Sequence, residues 1–566
     1  MKNQLITLFA GLSLTVTSCV DMNMIPKSQG NSESWYSTET ELKMAVNEFY
    51  ILGYWNKPLE NSEQWTDNFT YRNTNRSSFL DGTIQGQQYE IYAFWQQSYK
   101  LIARANSLLG GVSRAQAAGV DTRQYEGEAY FARACKYGEL ICYYGDLPYM
   151  DKYMTITEAE QQGRKPKEEL IPLVYADFDK AIEYLPVSYG KNAMHFTKGA
   201  AYAMKARFAL YFGDFDVAAK AAKACMDLNI YSLEPDYGKL FLQSTKTNSE
   251  KVFILPRSIA ADVILDLWFV TNGLPRNAGG YAADTPSWDL LASYLCTDGL
   301  PIDESPLFNS KNPFANRDPR CAKTIVEFGT VHCGFEFNPR PDVKTVTNVA
   351  TGASQANQDT RSVNQYASYN GLVWKKAIDD SWTQNGKEVE SDYIIMRYAD
   401  VLLMYAEAKI ELNEIDDTVL KAINTVRARA YGVDAANTSV YPSVTARDQV
   451  ALRKAVRIER RMELANEGLR YMDLIRWKLA SKALNGYNYI TLQPTELLSQ
   501  IVQKGLWFWP ETPSIDDDGL ADFTAMFNAG QVARGAKRIF PERQYLWPIP
   551  TQDLELCPNL GNNEGY

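Results

Sequence analysis

Glu459, Glu463 and Glu467 stand four residues apart in a segment, Ile458 to Trp477, that also carries Arg460, Arg461, Arg470, Asp473 and Arg476. Carboxylates at that spacing share one side of a helix, and acids and bases crowded together in this way look like an active site. On a bare helix surface the three acids would repel one another. The segment holds its own relief: Arg460 and Glu463, Glu467 and Arg470, Arg470 and Asp473, and Asp473 and Arg476 are three apart and can pair. Ala451, Ala455, Ile458, Met462, Ala465, Leu469 and Met472 recur in steps of four and three, the period of one packed helix face. Leu464, Gly468, Tyr471 and Ile475 give a second face. A helix packed on two sides cannot turn all its charges to water, and there unpaired charge is costly while paired charge fixes geometry. The expectation is a structural staple between helices. Gly468 either allows close packing or breaks the helix.

Other chemistries find little support. Two histidines, His195 and His332, exclude a histidine-rich metal site and would have to supply any His-based triad. The eight cysteines form no C-x-x-C pair for zinc or redox work, and Cys135, Cys142 and Cys225 read as small buried apolar residues. Asp516-Asp517-Asp518-Gly519 lacks the bidentate Glu of a calcium loop and reads as an acidic turn, so no cofactor is expected. A net charge of −10 without a basic cluster disfavours nucleic acid. What remains is aromatic. Most of the 12 Trp and 35 Tyr should be core, but those in loops are platforms for flat apolar ligand faces. The polar, broken stretch from Leu59 to Gln88 offers Trp65, Tyr71, Arg72 and Asn73. Trp268 and Tyr281 flank Asn272-Gly273-Leu274-Pro275 and Gly279-Gly280. Trp288, which precedes an apolar run, is expected in the core.

The elements that position these residues are mostly helical. Lys2 and the apolar run Leu5 to Val16 form a signal peptide too short to span a bilayer (residues 1–18). Val16-Thr17-Ser18-Cys19 resembles a lipobox, which predicts lipidation of Cys19 and a polar tether over 19–34. Helices are predicted over Thr38–Tyr50, Glu90–Leu109 (stopping at Gly110-Gly111), Glu128–Tyr144, Lys167–Leu185, Thr197–Phe212 and Val217–Leu228. Further helices are predicted over Tyr393–Leu412 and Thr418–Tyr431. Ala206, Gly213, Phe215, Ala218 and Cys225 occupy the small and aromatic positions of a tetratricopeptide repeat. The fold class is therefore all-α, helix pairs packed as an α-solenoid. A helical part is expected over 35–230. A loop-rich part follows over 231–566, with more repeat-like helices at about 393–480 and possible strands at Lys251–Leu255 and Leu372–Lys375.

Several blocks together resemble the SusD/RagB family of outer-membrane nutrient-binding lipoproteins. They are Gly127 to Ala134 with Gly145-Asp146-Leu147-Pro148, Thr197 to Arg207, and Arg317-Asp318-Pro319-Arg320. Next come Arg397 to Leu403 with Ala406-Glu407-Ala408, and Ala422-Ile423-Asn424 with Arg427 and Arg429-Ala430. The most characteristic block runs from Glu459-Arg460-Arg461 through Glu467-Gly468, Arg470, Asp473, Arg476 and Trp477. Trp547-Pro548-Ile549-Pro550 and Asn559 to Asn563 close the chain. The resemblance implies a tetratricopeptide-like fold with an irregular ligand-binding half, and a SusC-like TonB-dependent transporter as partner. It implies a binding protein for an oligosaccharide, or for peptides as in some relatives, rather than an enzyme. No shared motif carries binding residues over, so the candidates rest on loop placement. A glycoside hydrolase and a protein-interaction scaffold are the rival readings.

Overall fold

The computed structural model describes residues 35–55, 62–72, 77–190 and 194–566. The signal peptide, Cys19, the tether and Asn73 lie outside the described residues. The body is helical and opens with Glu39–Asn47, which starts where Thr38 and Glu41 form a reciprocal capping box. Long helices follow at Tyr89–Ala117, Arg123–Tyr144, Lys167–Tyr184, Lys198–Phe212 and Phe215–Asp227, each packed against the next. The chain then leaves the array and returns at Tyr398–Glu411, which packs against Phe215–Asp227 and carries the Asp417–Ala430 and Gln449–Leu464 helices beyond it. One solenoid is thus continued by residues far apart in sequence.

Several predicted boundaries are corrected. Gly110 and Gly111 do not end a helix; the Tyr89–Ala117 helix runs through them, and Gly111 serves close packing instead, since a Cβ there would be 2.3 Å from the Tyr36 ring. Tyr393–Arg397 is a strand, not the start of a helix, and pairs antiparallel with Lys251–Leu255. Its Ile394-Ile395 pair suits a pleated surface. Leu372–Lys375 makes only an isolated bridge, Trp374 to Ile325. The Ile458–Trp477 segment is not one helix: Gln449–Leu464 ends, Asn466 and Gly468 adopt positive φ, and Arg470–Arg476 starts afresh. Gly468 is a breaker. A continuous apolar period does not reveal such a break, since it depends on only two residues in the left-handed region.

Among the described residues every sheet has two strands. The irregular part forms its own core around Trp288, Trp374, Trp382, Trp507 and Trp509. The solenoid has another. The Gln449–Leu464 helix lies between them, giving Leu452 and Val456 to the solenoid core and Met462 to the other. Asp516 accepts the amides of Asp518 and Leu520 and pairs with Lys482, which makes the acidic stretch a closed turn.

Candidate functional site

The charges of Glu459 to Arg476 are buried between the two cores and almost entirely satisfied by distant residues. Arg320 reaches Asp318, Glu459 and Glu463 at 2.7–2.9 Å. Arg397 holds Glu250, Glu463 and Glu467, while Arg427 takes Glu459, Arg429 takes Glu250 and Glu463, and Lys376 takes Glu467. Five bases therefore meet five acids. A second group sets Arg207, Arg460 and Arg476 against Asp400, Glu407 and Asp473. Of the expected three-apart pairs only Asp473–Arg476 forms. Burial alone would push the Glu463 carboxyl up, but Arg429, Arg397 and Arg320 override it and hold the group well below the usual carboxylate range. Glu463 thus stays charged and fully engaged, unlike a general acid with a raised pKa.

The first candidate loop is split by this network. Ser62 donates to the Gly468 carbonyl at 2.6 Å, Glu63 accepts the Gly468 amide, and Asp67 is gripped by Arg461 and Arg470. Burial raises the Asp67 carboxyl, yet the two guanidiniums outweigh it and the net shift is strongly down. This clasp carries Trp65 inward. Trp65 is only 3% exposed, stacks on Phe79 at 4.0 Å and meets Tyr471 and Trp547 edge-on, so it packs the core and is closed to a ligand. Loop composition could not reveal this, because the pull inward comes from arginines about 400 positions away. Asn73 lies outside the described residues.

Beyond the clasp the chain reaches the surface as the Phe69–Tyr71 strand, paired with Asp284–Pro286. Tyr71 and Arg72 are thereby set beside the second candidate loop. The Arg72 guanidinium lies 5.6 Å from the Tyr71 ring and 5.5 Å from the Tyr366 ring, and its Nη2 is 3.5 Å from the Tyr281 carbonyl oxygen. Arg276 lies 5.8 Å from the same Tyr366 ring and donates through Nε to the Tyr366 carbonyl at 2.9 Å. Tyr281 is 45% exposed and Tyr366 50%. The Tyr281 amide donates to the Thr271 carbonyl at the end of the Leu267–Gly273 helix, on whose first turn Trp268 stands 52% exposed. Asp359 fixes the loop from beneath by accepting the amides of Arg276 and Asn277. Arg276 and Tyr366 were missed in sequence. Arg276 sits in the loop already singled out between Trp268 and Tyr281, but Tyr366 joins only through the fold.

Comparison with known proteins settles the family. A family model described as "SusD family" matches residues 244–566, more than half of the chain, and another, "Starch-binding associating with outer membrane", matches 26–210. The chain belongs to the SusD family. This SusD-family protein is 27% identical over 527 residues to SusD-like protein P2 of Formosa agariphila, covering 87% of this chain and 94% of that one. A solved SusD-like carbohydrate binding protein from Bacteroides fragilis superposes with a TM-score of 0.76 at 26% identity, over 93% of this chain and 99% of that one. A protein described as a laminarin binding SusD-like protein superposes with a TM-score of 0.60 at 19% identity, over 94% and 100%.

Two features of the SusD-family chain bear on what it can bind. A cleft of about 220 Å³ lies behind the Leu267–Gly273 helix, lined by Phe241, Phe269, Trp374, Trp382 and Tyr393 with Lys376, Glu467 and Gly468. That is below the roughly 300–1,000 Å³ of pockets that engulf a ligand. A ligand larger than this cleft would extend onto the surface beside it. There, half-exposed aromatic rings offer flat apolar contact and the arginines offer donors. Both histidines are accounted for locally: His195 contacts Glu128 at 3.2 Å, and burial pushes His332 down to about 4. Among the described residues no cluster of three His, Cys, Asp or Glu could hold a metal, and no helix is long and apolar enough to cross a membrane.

Proposed function

We propose that this SusD-family protein captures an oligosaccharide on the face formed by Tyr71, Arg72, Trp268, Arg276, Tyr281 and Tyr366. The observation that carries this is the set of half-exposed aromatic side chains, Trp268, Tyr281 and Tyr366, around a loop pinned from beneath by Asp359 and tied to a helix end. Pyranose rings present C–H faces that lie on Trp or Tyr, while their hydroxyls take the neighbouring donors. The carbohydrate-binding description of the Bacteroides fragilis relative supports the reading. Capture would serve delivery to a SusC-like TonB-dependent transporter, with the protein held on the cell exterior by lipid on Cys19. A second family description, association with the outer membrane, agrees with that placement.

The reading is one of binding, not hydrolysis: the acids of the Ile458–Trp477 segment are locked in buried ion pairs. Calorimetric titration of purified protein with a panel of oligosaccharides tests it. Trp268→Ala and Tyr281→Ala should each weaken the best ligand by about tenfold or more, the loss of a stacking contact of about 1–1.5 kcal/mol. Unchanged affinity in both variants would move the site elsewhere. Turnover of a bound oligosaccharide would replace binding by hydrolysis, and peptide binding without glycan binding would favour the peptide-binding members of the family.

A further inference from the structure

The candidate face gathers cations around one ring. Several surface cations elsewhere are matched: Lys43 with Glu39, Arg104 with Glu48, Lys220 with Asp216, Arg340 with Asp342, Arg447 with Asp417. Around Tyr366 they are not. Among the described residues neither Arg72 nor Arg276 has a carboxylate within ion-pair distance, although both guanidiniums lie within 6 Å of one ring. Lys387 adds a third cation, its Nζ donating to the Gly279 carbonyl at 2.5 Å. Burial pushes the Arg276 guanidinium down and Arg72 pushes it further, the mark of two like charges held close.

Neighbouring acids supply only part of the counter-charge, Asp359 offsetting some of the downward push on Arg276 without pairing with its guanidinium. Both oxygens of Asp359 are taken by the Arg276 and Asn277 amides, at 2.6 and 3.1 Å, and burial raises its pKa to about 6. Asp266 caps the helix below Trp268 by accepting the Trp268 amide. Asp284 is buried at the back of the Phe69–Tyr71 strand pair and lines the cleft. In a chain of net charge −10, two guanidiniums and an ammonium gathered where neither arginine has a carboxylate within ion-pair distance among the described residues are a selective feature. Guanidinium forks match carboxylate and sulfate oxygens two at a time, and they do so while stacked on tyrosine.

Building on the proposed capture of oligosaccharide, we infer that the ligand is an anionic one, bearing carboxylate or sulfate groups, and that Arg72 and Arg276 hold such a group between them beside the Tyr366 ring. Sugar rings then stack on Tyr281 and Trp268 while the acidic substituent enters the arginine pair. The test is calorimetric titration with four hexasaccharides: hexagalacturonate (carboxylate), a κ-carrageenan hexasaccharide (sulfate), and neutral laminarihexaose and maltohexaose. At least one anionic probe should bind tenfold or more tightly than either neutral one, and which one does so distinguishes carboxylate from sulfate. Its affinity should fall about tenfold in Arg72→Gln and in Arg276→Gln, recover in part in the Arg→Lys variants, and weaken as salt rises from 20 to 200 mM. Melting temperatures of the variants confirm that they are folded. Equal or tighter binding of the neutral probes, or wild-type affinity in both Gln variants, overturns the inference. If neutral probes bind through Trp268 without help from the arginines, capture stands and the charge preference falls. If no hexasaccharide binds, both fall.

Discussion

Tyr281 reaches the surface because Gly280 lets its loop fold back on Leu274. A Cβ at Gly280 would stand 2.1 Å from the Leu274 carbonyl oxygen and 2.6 Å from the carbonyl carbon, and backbone cannot yield as a flexible side chain would. The same turn is closed by the Gly280 amide on Pro275 and the Ala282 amide on Leu274, both at 2.9 Å. Gly280→Ala should therefore displace Tyr281 and Arg276 together and weaken oligosaccharide binding by at least tenfold. The melting temperature should fall by a few degrees, since overpacking of this kind costs about 1–3 kcal/mol. Titration of a folded Gly280→Ala variant with wild-type affinity would show that Tyr281 takes no part. The two tryptophans mark the limit of residue-level reading. Trp65 and Trp268 both stand in polar, turn-rich sequence, and only Asp67 and Glu63, by being bound to Arg461, Arg470 and Gly468, decide that Trp65 turns inward.

At the level of elements, the Gln449–Leu464 helix works as the seam between two cores, and its charges hold the seam in register. Arg460 is fully buried and reaches Asp400 at 2.7 Å, Asp473 at 3.2 Å and Glu407 at 3.7 Å. Arg460→Ala leaves those carboxylates short of a cation inside the protein, a loss on the order of 3–5 kcal/mol. Urea denaturation should show that loss, with ligand affinity of the folded protein changed less than twofold. A large loss of affinity with unchanged stability would place the helix in the binding site instead. The pH dependence follows from the same pairs. Burial pushes Asp400 up, but Arg460 and Arg207 outweigh it and hold the carboxyl at about 2, below the ordinary value of 3.8. A depressed carboxyl favours the folded state above pH 3.8, and its contribution is lost as pH falls from there through about 2. Denaturation midpoints measured between pH 6 and 2 should drop in that interval, and less steeply in Arg460→Ala.

On the scale of the whole molecule the described residues form a helical scaffold that offers a loop face, and we propose that lipid on Cys19 sets where it stands. If Cys19 carries lipid, Cys19→Ser should move the protein from the membrane to the soluble fraction without changing its melting temperature; retention in the membrane fraction would exclude that anchor. Sequence by itself determined the helical class, most helix ends, the reading of Ile458–Trp477 as structural, and the family. Those are local or short-range matters: Thr38 and Thr197 cap their own helices, and Gly213 turns its own chain. Tertiary structure decided which strand Tyr393–Arg397 joins, which distant bases satisfy Glu463, and which aromatic side chains stay outside. It also brought Tyr366, Arg276 and Arg72 to one ring from three separate loops. The physical reason is the range of the forces involved: capping and periodicity act within a turn or two, whereas a buried charge must be met by whatever opposite charge the fold brings beside it.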